Sequence, residues 1–274
     1  MSSKITSCEP MPFLKWPGGK RWFVVNYAQL LPLKYNCYIE PFLGAGSVFF
    51  YLKPKRAILS DINADLISAY KAIRHEWSGL NRCLRMHQAK HDHAYYYAIR
   101  ETNPSHPIEK AARLIYLNRT CFNGIYRVNQ CGQFNVPKGS KNTVIFDTDN
   151  FELLAATLKK AKIYSCDFEI SIDKAKKGDL IFADPPYTVR HNVNGFIKYN
   201  EQLFSWADQI RLAGALFRAK IRGAKIVLTN ANHHSIRRLY KERGFTFLKI
   251  SRYSSISADA GYRKQFDELV IRSF

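Results

Sequence analysis

Asp179-Leu180-Ile181-Phe182-Ala183-Asp184-Pro185-Pro186-Tyr187 decides the fold class. Its opening apolar run has the length and composition of a buried strand. Two consecutive prolines carry no N–H for a sheet ladder, so the strand stops there and leaves Asp184 at its carboxyl end. Each proline fixes its own φ, and Pro186 biases Pro185 toward an extended conformation. The expected result is a stiff turn that brings together a carboxylate, a proline carbonyl and an aromatic ring. Ligands of open α/β sheets bind outside the carboxyl ends of the strands. A lone Asp before Pro-Pro can equally cap a turn, so the rest of the chain has to decide.

Working outward, strand and helix patterns alternate. Upstream are a helix over 151–161 and a strand over 163–166, followed by Asp167-Phe168. Downstream come a loop over 188–199, a helix over 202–220, a strand over 225–229, a helix over 235–243 and strands over 246–250 and 268–272. A basic, Ser-rich stretch over 251–264 reads as a loop able to meet a phosphate backbone. Such alternation predicts an α/β fold with a mostly parallel sheet covered on both faces.

Two glycine-rich segments lie nearer the amino end. Lys15-Trp16-Pro17-Gly18-Gly19-Lys20 breaks regular structure, lets backbone approach a ligand, and precedes a helix over 21–31. It lacks the spacing of a phosphate-binding P-loop. A strand over 36–39 runs into Glu40-Pro41-Phe42-Leu43-Gly44-Ala45-Gly46-Ser47, and a helix follows over 48–52. Strand, Gly-x-Gly turn and helix start form the geometry that holds a nucleotide-like ligand against backbone amides. The next strand, 56–60, ends at Asp61, placed to accept both hydroxyl hydrogens of a ribose. A nicotinamide dehydrogenase would account for that pair equally well, but not for Asp184-Pro185-Pro186-Tyr187.

The middle of the chain has a different texture. Leu66, Ile67, Tyr70, Ile73 and Trp77 recur at helical spacing within a helix over 63–84, mostly as core. Tyr95, Tyr96 and Tyr97 read as core rather than as a base-stacking stripe. His87, His91 and His93 lack Cys or Glu partners at ligand spacing and read as surface histidines, with no metal expected. After a helix over 110–117, residues 117–139 read as a hairpin with a polar tip. Its Asn, Gln and Arg, interleaved with Phe and Ile, suit contact with a DNA groove.

With 42 Lys+Arg against 22 Asp+Glu among 274 residues, the net charge of +20 points to a polyanionic partner, nucleic acid first and an anionic membrane surface second. Six scattered cysteines without a Cys-x-x-Cys pair suggest neither a zinc site nor a disulfide framework. No apolar run approaches membrane-spanning length, and residues 1–12 contain no signal core. A soluble, cytoplasmic, DNA-associated protein with no obligate protein partner is the expectation.

Taken in order, Lys15 to Lys20, Glu40 to Ser47 and Asp184 to Tyr187 resemble the Dam-type DNA adenine-N6 methyltransferases, the D12 class of the alpha group. The resemblance extends to Leu117-Asn118-Arg119, Phe122-Asn123-Gly124, Phe134-Asn135-Val136-Pro137 and Asp267-Glu268-Leu269, and so spans nearly the whole chain. It implies a Rossmann-like sheet that uses S-adenosylmethionine. The catalytic domain would be residues 1–71 and 143–274, with an inserted helical and β-hairpin target-recognition domain at 72–142.

By the same resemblance, Trp16, Lys20, Glu40, Phe42, Gly44 and Gly46 line the cofactor, with Asp184 beside it. Asp61 takes the ribose, and Asp167 with Phe168 the adenine. Lys15, Asn123, Ile125, Arg127 and Pro137 fall where the family contacts bases, and Phe122 where an aromatic wedges beside a flipped nucleotide. Lys141 departs from the aromatic DNA contact the family can carry there, and the wedge is Phe rather than Tyr. Asp184, Pro185 and Tyr187 are the catalytic residues, acting on adenine in duplex DNA, with GATC as the site. Cytosine-N4 methylation uses the same geometry, although Asp rather than Ser before Pro-Pro-Tyr favours adenine. A DNA-binding regulator with an inactive methyltransferase fold is the alternative from a different class.

Overall fold

The computed structural model describes residues 9–129, 132–188, 204–253 and 265–274. The expected loop over 188–199 lies outside them beyond its first residue, as does the 251–264 stretch beyond Tyr253. Helices are α1 (Arg21–Tyr27), α2 (Ser47–Leu52), α3 (Ala64–Lys90), α4 (His93–Glu101), α5 (Pro107–Thr120), α6 (Phe151–Leu158), α7 (Phe168–Ile172), α8 (Trp206–Ile221) and α9 (His234–Lys241). Strands are β1 (Tyr38–Glu40), β2 (Ala57–Asp61), β3 (Ala161–Ser165), β4 (Leu180–Ala183), β5 (Lys225–Ala231), β6 (Thr246–Tyr253) and β7 (Gln265–Arg272). They form a seven-stranded Rossmann-like sheet in the order β3-β2-β1-β4-β5-β7-β6. β1 pairs in parallel with β2 and β4, and β4 with β5, while β7 runs antiparallel to both β5 and β6.

The chain divides into two compact units. The first comprises Met1–Val24, Leu43–Lys55 and Asp61–Ser165, and the second Val25–Phe42, Arg56–Ser60 and Cys166–Phe274. In the first, α3 packs along α5 and α6. The Asn63 side chain caps α3 by accepting the Leu66 N–H at 2.9 Å. The helix runs past the expected end at 84 to Lys90, bending at Glu76, where φ and ψ leave the helical region. α6 stops at Leu158 rather than 161, because Ala161 already begins β3.

In the second unit, register separates two faces. Ile39 is opposite Ile181, Ile181 opposite Ile226, Ala183 opposite Leu228, and Leu228 opposite Ile271. These residues join Leu269 in one buried cluster with Phe168 and Ile172 of α7 and Leu212 and Leu216 of α8. A capping box at Ser205 and Asp208 starts α8. Asn230, on the same face, donates to Gln209 at 3.1 Å, and Gln209 donates to the Tyr240 hydroxyl at 2.8 Å, so the polar groups under α8 are satisfied. Side chains alternate along a strand. Glu40, Asp184, Thr229 and Glu268 therefore belong to the opposite face, at the end where β1, β4 and β5 finish.

The last two strands are longer than expected. Ser251, Arg252 and Tyr253 pair with Asp267, Phe266 and Gln265. Backbone ladder bonds carry these strands beyond their apolar alternation. Among the described residues of 117–139 the pairing is antiparallel but not a continuous ladder: isolated bridges join Cys121 to Lys138 and Val128 to Phe134.

Candidate active site and nucleic-acid interface

Within the first unit, Trp16 stacks on Tyr126, with ring centroids 5.2 Å apart and planes at 25°. Gly44 has φ +47°, and a Cβ there would meet the Trp16 ring at 2.9 Å. Gly46, at φ +65°, caps α2, and its Cβ would meet the Tyr70 hydroxyl oxygen at 2.9 Å. Both positions therefore exclude a side chain by conformation and by space. Tyr70 also donates its hydroxyl to the Gly44 carbonyl at 2.9 Å, fixing the turn from below.

Asp61 accepts the Gly44 N–H at 3.0 Å and the Asn63 N–H at 3.0 Å. Burial raises its carboxyl above the ordinary range, while backbone N–H groups of Asn63, Gly44 and Ile62 pull the other way. Lys20 is buried and donates to the Gly18 carbonyl at 3.2 Å. A cleft of about 290 Å³ is lined by Lys15, Trp16, Gly19, Arg21, Ala45 and Ser47, among others.

The expected DNA-contacting residues of this unit present their side chains outward. Lys15, Phe122, Asn123, Arg127, Pro137 and Lys141 are exposed and Ile125 is half-buried. Asn123 adopts φ +57° inside the turn Phe122–Gly124. Backbone contacts tie the arms together: Phe122 N–H donates to the Pro137 carbonyl at 2.9 Å, and Gly139 N–H to that of Thr120 at 2.8 Å. Arg127 Nε donates to Asn135 Oδ1 at 3.1 Å. The Lys141 ammonium beside it, together with partial burial, pulls Lys15 down to about 8.

Two residues beneath this surface carry more than their motif suggested. Asn118, fully buried, accepts the Lys15 N–H at 2.9 Å and donates to the carbonyls of Lys15 at 2.8 Å and Gly124 at 3.2 Å. Arg119 donates to the Phe13 and Val144 carbonyls and grips Asp149 through both terminal nitrogens, at 2.5 and 2.8 Å. Leu117-Asn118-Arg119 was visible as a motif. What each side chain holds was not.

Of the three histidines, His87 departs from expectation. His87 is buried, stacked on Tyr116 and hydrogen-bonded to the Tyr95 hydroxyl at 2.8 Å, because α3 continues past it against α5. Burial, with Lys90 nearby, pulls it down to about 4. His91 bonds the Tyr116 hydroxyl at 2.8 Å, while His93 is exposed. Of the three tyrosines only Tyr96 is fully buried. Among the described residues no group of three or more His, Cys, Asp or Glu is placed to hold a metal ion. Nor is any described helix long and apolar enough to cross a membrane.

Within the second unit, Glu40 is buried and accepts the Tyr38 hydroxyl at 2.9 Å. Phe42 stacks on Phe168 with centroids 5.4 Å apart. Asp167 caps α7 by accepting the Glu169 N–H at 2.9 Å, and accepts Arg211 at 2.9 Å. The Arg211 guanidinium lies 4.9 Å from the Phe168 ring centre. Asp184 follows β4 directly, and Pro185 is buried. Asp184 Oδ1 accepts the Thr229 hydroxyl at 2.6 Å, and the Tyr187 hydroxyl donates to Glu268 Oε2 at 2.8 Å. Thr229 carried no signal in the sequence, and Glu268 appeared only as part of a terminal motif.

Comparison with known proteins shows the family. Residues 16–256 match the family model for D12 class N6 adenine-specific DNA methyltransferase. A type II methyltransferase of Lactococcus lactis subsp. cremoris, M1.LlaDCHI, is 34% identical, covering 96% of this chain and 95% of its own. Another from Methanocaldococcus jannaschii, M.MjaIII, is 35% identical over 97% of this chain and 100% of its own. The DNA adenine methylase of Haemophilus influenzae is 35% identical over 94% of this chain and 92% of its own. With that match spanning the glycine turn, Asp61 and the Asp184 loop alike, the chain belongs to the D12 class of N6 adenine-specific DNA methyltransferases.

Proposed function

We propose that the protein methylates N6 of an adenine flipped out of duplex DNA, within GATC, with S-adenosylmethionine as donor. The observation that carries this reading is Asp184 at the carboxyl end of β4, its carboxylate held by Thr229, in the rigid turn that also supplies Pro185 and Tyr187. Bound S-adenosylmethionine supplies an electrophilic methyl group. Trp16, Lys20, Glu40, Phe42, Gly44, Gly46, Asp61, Asp167, Phe168 and Asp184 are assigned to it. The positive-φ turn at Gly44 and Gly46, packed against Trp16 and Tyr70, supports a backbone turn of the kind that meets a nucleotide-like ligand. The paired oxygens of Asp61 fit a ribose diol.

Adenine N6 is a poor nucleophile because its lone pair is delocalised into the ring. In this reading the flipped base stacks on Tyr187. The Asp184 carboxylate and Pro185 carbonyl accept the two N6 hydrogens and hold them out of the ring plane, which turns the lone pair toward the incoming methyl. Positive charge grows on N6 during transfer, and a fixed carboxylate stabilises it more than it stabilises the ground state. No covalent intermediate with the protein is required.

Residues 72–142 are assigned to target recognition. Lys15, Asn123, Ile125, Arg127, Pro137 and Lys141 are proposed to contact DNA, and Phe122 to wedge beside the vacated position. The +20 charge favours such a partner.

The test is methyl transfer from tritiated S-adenosylmethionine to duplexes carrying one GATC, against duplexes with its adenine moved or replaced, with Asp184→Ala as control. Label confined to GATC and abolished by the variant is expected. Label in every adenine-containing duplex would remove the GATC assignment alone. Label on cytosine N4 would move the chemistry to the other exocyclic amine, and cofactor binding without transfer would point to a regulator.

A further inference from the structure

Thr229 and Glu268 are buried polar side chains hydrogen-bonded to Asp184 and Tyr187 of this loop. Thr229 is fully buried and donates to Asp184 Oδ1 at 2.6 Å. Glu268 is 3% exposed and accepts the Tyr187 hydroxyl at 2.8 Å.

Register explains how residues distant in sequence meet there. Ala183 is opposite Leu228 in the parallel β4–β5 pair, so one further step places Asp184 beside Thr229. Thr229 is opposite Val270 and Ala231 opposite Glu268 in the antiparallel β5–β7 pair. With side chains alternating, Asp184, Thr229 and Glu268 fall on one face, away from the apolar cluster under α8. A buried carboxylate and hydroxyl are costly unless hydrogen-bonded. Here those bonds run into the loop.

We propose that Thr229 and Glu268 are positioning residues for methyl transfer. Thr229 fixes the rotamer of the Asp184 carboxylate, and Glu268 anchors the Tyr187 ring through its hydroxyl. Neither touches the substrate; each acts through the loop residue it holds. The proposal rests on the adenine-N6 reading above.

The experiment measures single-turnover methylation of a GATC duplex at saturating cofactor and DNA. Affinities for each and thermal midpoints are measured alongside. Thr229→Val keeps shape and loses the donor, and is expected to slow transfer about ten- to a hundredfold with both affinities within about twofold of wild type. Thr229→Ser, which restores the donor, should recover most of the rate.

Tyr187→Phe, Glu268→Gln and their combination form a double-mutant cycle. Because Glu268 acts through the Tyr187 hydroxyl, the combination should be no slower than the slower single variant. Independent, multiplicative losses would overturn the Glu268 assignment. A Thr229→Ser protein as slow as Thr229→Val, unchanged rates, or losses appearing only in affinity or melting would overturn the Thr229 assignment. Failure of the wild type to methylate adenine sinks the functional reading and this inference together, whereas wild-type transfer with those variant outcomes sinks the inference alone.

Discussion

In the second unit the groups proposed for catalysis and cofactor binding are held by their side chains: Asp184 by Thr229, Tyr187 by Glu268, and Glu40 by Tyr38. In the first unit the proposed reading groups are held mainly by their backbone, with Arg127 also tied to Asn135 through its side chain. Asn118 binds the Lys15 N–H and carbonyl and the Gly124 carbonyl, and Phe122 is tied to Pro137 through main-chain atoms, while the side chains point outward. The contrast follows from what each set has to do. Transfer needs reacting atoms fixed to a fraction of an ångström before substrate arrives. Reading a groove needs side chains that can meet base edges, on a frame that fixes only where they start.

This contrast can be broken most severely at Arg119. Its guanidinium satisfies Asp149 and the carbonyls of Phe13 and Val144. Arg119→Ala strands a buried carboxylate and is expected to cost on the order of 3–5 kcal/mol in denaturant unfolding. A loss below about 1 kcal/mol would mean the frame under Lys15 does not depend on it.

Next in size, Arg127→Ala should relax sequence discrimination by about 1–3 kcal/mol, measured as the ratio of methylation efficiencies on GATC and on single-substituted duplexes. Single-turnover chemistry on the best duplex should stay near wild type. If chemistry falls and discrimination does not, the two regions are not separable in this way.

The smallest effect concerns Lys15 and Lys141. A lysine pulled down to about 8 keeps its charge below that pH and loses it as pH rises through it. Duplex affinity should therefore weaken between about pH 7 and 9. Lys141→Ala removes the neighbouring ammonium, raises Lys15 toward the usual lysine range and should move that weakening to higher pH. Superimposable pH curves for wild type and variant would place the pair away from the DNA.

Much of the frame was readable because its signals are local. Pro185-Pro186 ends β4 by lacking N–H groups, and Gly44 and Gly46 mark a turn whose positive φ favours glycine. The polar 117–139 segment was visible as composition. Its lack of a continuous ladder was not, since composition carries no hydrogen-bond register. Thr229 was hidden because its role arises from a strand 45 residues beyond Asp184, and Asn118 because its partner Lys15 is 103 residues away. His87 was misread because its burial depends on α5, which no neighbouring residue announces. β6 and β7 were cut short for a similar reason, as backbone pairing continued where apolar alternation had ceased.

The two-faced register of β4, β5 and β7 also bears on how errors are removed during folding. A one-residue slip of any of these strands would exchange its faces, pressing Asp184, Thr229 or Glu268 against the apolar cluster beneath α8 and turning that strand's aliphatic residues toward the loop. Each displaced Ile or Leu forfeits about 1.5–3 kcal/mol, and each misplaced carboxylate loses its partner in an apolar setting. A misregistered chain is therefore not a stable product that merely lacks activity. The alignment that closes the core is the alignment that assembles the loop, so quality control of the enzyme's chemistry is carried out by the hydrophobic effect.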